Sequence, residues 1–318
     1  MSRGDDLICS HFTLTGAPGR EPARFEFAER VEAAAAAGFV GIGMLGADHA
    51  RANAAGLSDL EMARVLADHG VVVAEVEFLM GWSAGPEEPD LQALGRLLEE
   101  QVWAVADAFG PRVVSVGELA GPEQLPPFEV QVERFAALCD RAAAHGLLVA
   151  LEFMPWSGIR DIATAAAIVD AADRRNAGIN LDTWHWFRGN PSAETLRSHA
   201  DRIVMFQIDD ADPERVGPPE DDTVLRRRYP GEGAFDLVGL LLLMRDGPVR
   251  QKEGIGVHVF AHVEAHKFED QGAGGRLPEG GVLVLLKSGA HGLGKQWAGL
   301  GDDHDVKRWV GDPSYILL

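Results

Sequence analysis

Short apolar runs alternate along the chain with longer stretches in which Ala, Leu and Arg recur at helical spacing. Segment 7–14, "LICSHFTL", reads as a first strand, and 26–37 as a helix stopped by Gly38. The alternation continues through strand 39–45 and helix 57–70, strand 71–79 and helix 90–110, strand 112–118 and helix 128–146. It runs on through strand 147–156 and helix 160–174, strand 177–186 and helix 191–200, strand 202–211 and a helix near 235–245. Gly70 and Gly146 close their helices, because glycine tolerates the left-handed backbone of a helix end. Strands with unbroken apolar runs are buried on both faces, and repeated strand–helix units make those strands parallel.

Two parallel architectures compete, an open doubly wound sheet and a closed barrel. An open sheet that binds nucleotides carries a glycine-rich turn after its first strand, and "TLTGAPGREP" has neither that spacing nor a P-loop. Polar residues instead collect at the C-terminal ends of many strands: His11, Glu75, Glu77, Glu118, Glu152, Asp182 and Gln207. That distribution suits the mouth of a barrel. The expected fold is therefore an α/β (β/α)8 TIM barrel over residues 1–266, with "IGVHVFAHVEAH" (255–266) as strand eight.

The remainder, 267–318, is atypical. From residue 246 onward glycine makes up roughly a fifth of the chain, against an average near 7%. The Leu/Arg periodicity stops, and no amphipathic final helix is readable. A shifted reading frame in a GC-rich gene would produce such a change. The expectation is a poorly packed segment that exposes the apolar run "VLVLLK" (282–287).

Composition narrows the partners. A net charge of −20 repels phosphate backbones and anionic membranes, so neither nucleic acid nor membrane is expected. Cys9 and Cys139 lack metal spacing and read as two reduced thiols of a cytoplasmic protein. The N-terminal stretch "MSRGDDLICS" contains no long apolar run, so no secretory or membrane-spanning segment is expected there. Assembly into a homo-oligomer is left open.

The chemistry concentrates in "ALEFMP", "NLDTWHWFRG" and "FQIDDA". These put Glu152, Asp182 and Gln207 near the mouth ends of strands five, six and seven. Two carboxylates and an amide oxygen are hard ligands, suited to Mg²⁺ or Mn²⁺, and a fourth ligand is expected from strand eight. Alternatives stand beside each reading. Glu152 could be a buried ion-pair partner, Asp182 a helix cap, Gln207 an interior hydrogen bonder and His185 a core histidine. Trp156 and Trp184 are candidates for a substrate wall, and packing competes with that for both and for Trp186. Glu75 and Glu77 share a strand face, only one is expected to reach the mouth, and a structural ion pair with a cation is the preferred reading.

Together with "RRYPGEG", these motifs resemble the xylose isomerase-like barrel superfamily, the sugar phosphate isomerase/epimerase group, over about residues 5–245. The resemblance implies one divalent ion held by Glu, Asp, His or Gln, and Glu on strands five to eight. Glu152, Asp182 and Gln207 match the first three places. His185 matches a histidine that contacts substrate beside the metal, and Arg228 a substrate-binding arginine. Glutamine at the third place is similar to the hydroxypyruvate isomerase and 3-dehydroshikimate dehydratase branches. Strand eight departs from the pattern: "IGVHVF" puts His258 where the family has glutamate, with Glu264 the alternative. That glutamate is also a proton-transfer group in many relatives. Relatives that cut DNA at abasic sites use extra histidines on strands two to four, which "GIGMLG" and "VVSVGE" lack.

The resemblance implies an enzyme, an isomerase or epimerase of a sugar or related polyol or keto compound. Glu152 would act as base and His185 as donor to a substrate oxygen. A dehydratase of the dehydroshikimate or keto-inositol type would share the first step, and a barrel that has lost metal and activity is the third reading.

Overall fold

The computed structural model describes residues 7–17, 22–245, 257–259, 284–286 and 315–317. Parallel strands close into a barrel. They are β1 (Leu7–Cys9), β2 (Gly41–Leu45), β3 (Val72–Leu79), β4 (Val113–Val116), β5 (Leu148–Glu152), β6 (Ala177–Asp182) and β7 (Ile203–Ile208). A closing strand, Val257–Val259, pairs with β7 on one side and β1 on the other, which removes both open edges. Of the expected strand eight, 255–266, the described residues Val257–Val259 are in a strand.

Helices wrap the outside because their apolar stripes need the strands' outer faces. Phe135, Leu138 and Ala142 of helix Phe128–Ala144 and Ile168 and Val169 of helix Ile162–Ala172 are buried in one continuous core with Leu147, Val149 and Leu151. Each such side chain, fully withdrawn from water, contributes about 1.5–3 kcal/mol. Local chemistry fixes the helix ends. Ser58 and Glu61 form a reciprocal capping box at the start of Asp59–His69, and Gly70 ends that helix at φ 67°.

Several expected strands are shorter than their apolar runs, strand 147–156 among them, which ends at Glu152. After Cys9 the chain turns into helix His11–Thr15, and after Asp182 into helix Thr183–Arg188. These corrections fall at the barrel mouth, where the chain leaves the sheet and alternation no longer reports on pairing. Helices Gly46–Ala54 and Pro219–Leu225 were not foreseen, because both are short and rich in charge.

In the final segment, Val284–Leu286 pairs antiparallel with Tyr315–Leu317, so part of the run expected to be exposed is in a ladder. The rest of 267–318, and Glu264, lie outside the described residues. Cys9 and Cys139 are both buried and not joined to each other. Among the described residues no helix is long and apolar enough to cross a membrane.

Candidate metal and active site

The mouth is built where β5, β6 and β7 end. Glu152 is the last residue of β5 and Asp182 the last of β6. Gln207, on β7, stands in register with Asp182 and, on its other side, with His258 of the closing strand. Neighbours in register on parallel strands share a face, which is how residues far apart in sequence meet at one point.

Asp182 does two things. Its Oδ1 accepts from the backbone N–H of His185 at 3.0 Å and so caps helix Thr183–Arg188. The cap role is therefore compatible with a ligand role for the same carboxylate. The cap also explains why "LDTWHW" turns sharply after the aspartate and swings His185 back over the mouth. The His185 Nε2 lies 3.1 Å from Glu152 Oε1. One ligand atom each from Glu152, Asp182 and His185 lies within 4.8 Å of the others, and all three residues are buried. Such a cluster offers two hard oxygens and an imidazole nitrogen to one ion, a donor set that fits a divalent metal.

A polar network braces this cluster inside the barrel. Ser115 donates to Glu152 Oε2 at 3.0 Å. Asn180 Nδ2 donates to Ser115 Oγ at 3.2 Å and to Gln207 Oε1 at 2.9 Å. Gln207 therefore sits at the expected place, with its amide oxygen held by Asn180. The Asn180 Oδ1 and His185 Nδ1 atoms are buried, and no hydrogen-bond partner for either is seen among the described residues. For His258 only the main chain is described.

The two adjacent arginines take different environments. Arg228 is exposed and paired with Asp212, its Nε at 2.8 Å and its Nη2 at 3.0 Å from the carboxylate. Arg227 is the buried one, its Nη1 2.6 Å from Asp182 Oδ2 and also donating to Asp209 Oδ2. The reason is period-two geometry: Arg227–Arg228 forms a short antiparallel ribbon with Asp210–Ala211, so successive side chains take opposite faces. Burial alone would raise the Asp182 acid, but the Arg227 guanidinium and His185 outweigh it and hold the carboxyl below its usual range. Sequence reasoning also passed over Asp209, which accepts from Thr183 Oγ1 at 2.7 Å.

Other polar and aromatic residues surround the cluster. Asp210 accepts from Gly231 N and Phe235 N, each at 3.0 Å, and so ties down the "PGEG" turn. A side chain at Gly233 would stand 2.2 Å from Asp210 Oδ1 and 2.3 Å from the Ala211 carbonyl, which accounts for the glycine. Trp156 and Trp184 flank the His185 ring edge-on at 5.3 and 5.4 Å; Trp184 is fully buried, Trp156 partly. Trp186 packs in the core. Glu118 accepts from Ser83 N at 2.8 Å and holds the loop after β3. Burial presses the His11 imidazole down to about 3, so it is neutral.

Glu75 and Glu77 are both buried and stand side by side facing Gly43, and Glu77 accepts from Ser10 Oγ at 3.1 Å. Burial pushes the Glu75 acid up to about 8; its bond to Glu77 opposes the rise, and Glu152 adds to it.

Residues 31–254 match the xylose isomerase-like TIM barrel family, and the chain belongs to that family. The inosose isomerase of Bacillus subtilis (strain 168) is 30% identical over 118 residues, 36% of this chain and 41% of that protein. The 3-dehydroshikimate dehydratase of Pseudomonas aeruginosa is 29% identical over 220 residues, 67% of this chain but 33% of that protein. The chain thus spans less than half the length of these curated relatives. Among solved structures, the IOLI protein with a bound zinc atom superposes with a TM-score of 0.66 at 20% identity, covering 81% of this chain and 89% of that one. The D-psicose 3-epimerase of Clostridium cellulolyticum H10 gives a TM-score of 0.59 at 13% identity, covering 80% and 83%. At these identities the likeness is one of fold.

Proposed function

We propose that this chain is a divalent-metal-dependent isomerase or epimerase of an α-hydroxy ketone of the sugar or cyclic polyol type. The observation that carries the reading is the convergence of Glu152, Asp182 and His185 within 4.8 Å at the barrel mouth. Glu152 and Asp182 would hold the ion, with Gln207 offering a third oxygen and His258, in register beside it, a fourth ligand. Mn²⁺ and Mg²⁺ suit the oxygen donors, and the zinc in the IOLI structure belongs to a related fold. A bound ion supplies Lewis-acid stabilisation of charge that develops on substrate oxygen.

The protein's own groups do the rest. Glu152 takes the carbon-bound proton next to the carbonyl, an effect typically on the order of 10²–10⁴ in rate. Ser115 fixes one of its oxygens and leaves the other on the side of His185. The His185 Nε2 is then placed to pass a proton to the substrate oxygen. Return of the proton to the neighbouring carbon isomerises; return to the other face epimerises. Trp156 would wall the substrate, with the buried Trp184 packed against it. The match to a dehydratase over 220 residues supports a second reading, loss of a β-hydroxyl after the same first step.

The test is incubation of Mn²⁺-loaded protein with keto-inositols, keto sugars and dehydroshikimate in deuterated water. Deuterium entering a keto sugar or keto-inositol without water loss supports the isomerase. An ultraviolet-absorbing product from dehydroshikimate supports the dehydratase, and no exchange into any of them rejects both.

A further inference from the structure

Arg227 occupies an unusual place for a mobile, strongly basic side chain. It is buried, and its Nη1 touches both Asp182 and Asp209. Its Nε donates to the Thr223 carbonyl and its Nη2 to Thr223 Oγ1, each at 2.8 Å. Asp209 is itself anchored by Thr183, whose hydroxyl donates to Oδ1 at 2.7 Å. The guanidinium is thus locked in a buried triplet, Asp182–Arg227–Asp209, and one member of that triplet is a proposed metal ligand.

This arrangement has an electrostatic consequence. A buried carboxylate at the end of β6 needs a cation, and here the fold provides one of its own. A divalent ion approaching Asp182 meets a fixed positive charge already bonded to Oδ2 at 2.6 Å. In a buried site that repulsion is weakly screened. We propose that Arg227 is a built-in counter-ion that competes with the divalent ion for Asp182, so that the Asp182–Arg227–Asp209 triplet lowers and sets the metal affinity. Asp209 is the residue that retains the guanidinium when the ion takes Asp182. The inference rests on the reading of Asp182 as a ligand.

The experiment is calorimetric titration of Mn²⁺ into chelator-stripped full-length protein. Removing Arg227 alone would leave two buried carboxylates unpaired, so the informative variant is Arg227→Met combined with Asp209→Asn, its fold checked by circular dichroism. Arg227→Lys keeps the charge and serves as the control. The double variant is expected to bind Mn²⁺ at least about tenfold more tightly than wild type, and Arg227→Lys within about threefold of it. A second readout needs no variant affinity. The Arg227 Nε–H resonance, assigned by its loss in the double variant, should shift on saturation with Mg²⁺. Equal or weaker Mn²⁺ binding by the folded double variant overturns the proposal and leaves the ligand assignment standing. Absence of binding by every protein, wild type included, overturns both.

Discussion

Gly43 stands where β2 faces the Glu75–Glu77 pair, at the point where the β2–β3 register shifts between Ile42 and Gly43. A Cβ built there would lie 2.5 Å from Glu75 Oε1, 2.7 Å from Glu77 Oε1 and 2.9 Å from the backbone nitrogen of His11. The first two atoms belong to adjacent buried carboxyls, and the third is main chain, so none can swing into solvent. Gly43→Ala therefore forces an overpacked core, typically about 1–3 kcal/mol. It also strains the bonds that Glu77 accepts from Ser10 Oγ and His11 N, each worth about 0.5–1.5 kcal/mol. A destabilisation of about 2–4 kcal/mol follows if the bonds are partly lost. Urea unfolding followed by circular dichroism measures it. Gly121→Ala is the control, because the nearest atom to its added Cβ is Gln124 Oε1 at 3.6 Å. A Gly43→Ala midpoint within about 0.5 kcal/mol of wild type, with an unchanged slope, would refute the packing argument.

The same carboxyl pair gives a pH prediction. Because Glu75 is raised from 4.5 to about 8, the folded chain binds more protons than the unfolded chain across that window. The contribution of Glu75 to stability is then greatest at the acid end and falls as pH rises toward 8. Glu75→Gln should flatten that fall in unfolding experiments, and an unchanged slope would mean the buried acid is not neutral. For the site, His185→Gln keeps the Asp182 cap through its backbone N–H, so stability should stay within about 1 kcal/mol while turnover falls on the order of a hundredfold. A large stability loss with full activity per folded molecule would return His185 to a core role. Saturating Mn²⁺, at a hundredfold excess over its dissociation constant, should stabilise wild type by about 2.7 kcal/mol. Glu152→Gln should lose most of that gain, and equal melting shifts in the two proteins would remove Glu152 from the ligand set.

The alternation of apolar strands and capped helices made the barrel legible, because burial on both strand faces leaves a pattern that depends on little else. Glu152, Asp182 and Gln207 were legible for a related reason: polar residues ending apolar runs at barrel-strand spacing have few other places to be. What escaped was geometry at the mouth. Alternation in "LICSHFTL" and "NLDTWHW" continues past the last paired residue, so both strands were read too long. Three successive arginines look alike in sequence, and only the two-residue ribbon with Asp210–Ala211 decides that Arg227 turns inward. A search for alternation against the acidic "IDDA" partner strand would have raised that possibility. Glu75 and Glu77 were placed on one strand face, but that burial would raise both acids is not written in a sequence.

The central claim is that Glu152, beside a divalent ion, removes a carbon-bound proton from a hydroxy ketone. Its most direct test is mass spectrometry of a keto-inositol incubated in deuterated water with stripped protein, Mn²⁺-loaded protein and Mn²⁺-loaded Glu152→Gln. The account predicts deuterium uptake with the loaded wild type alone, and a loss on the order of 10²-fold or more in the variant. Uptake at the same rate in all three samples would contradict it.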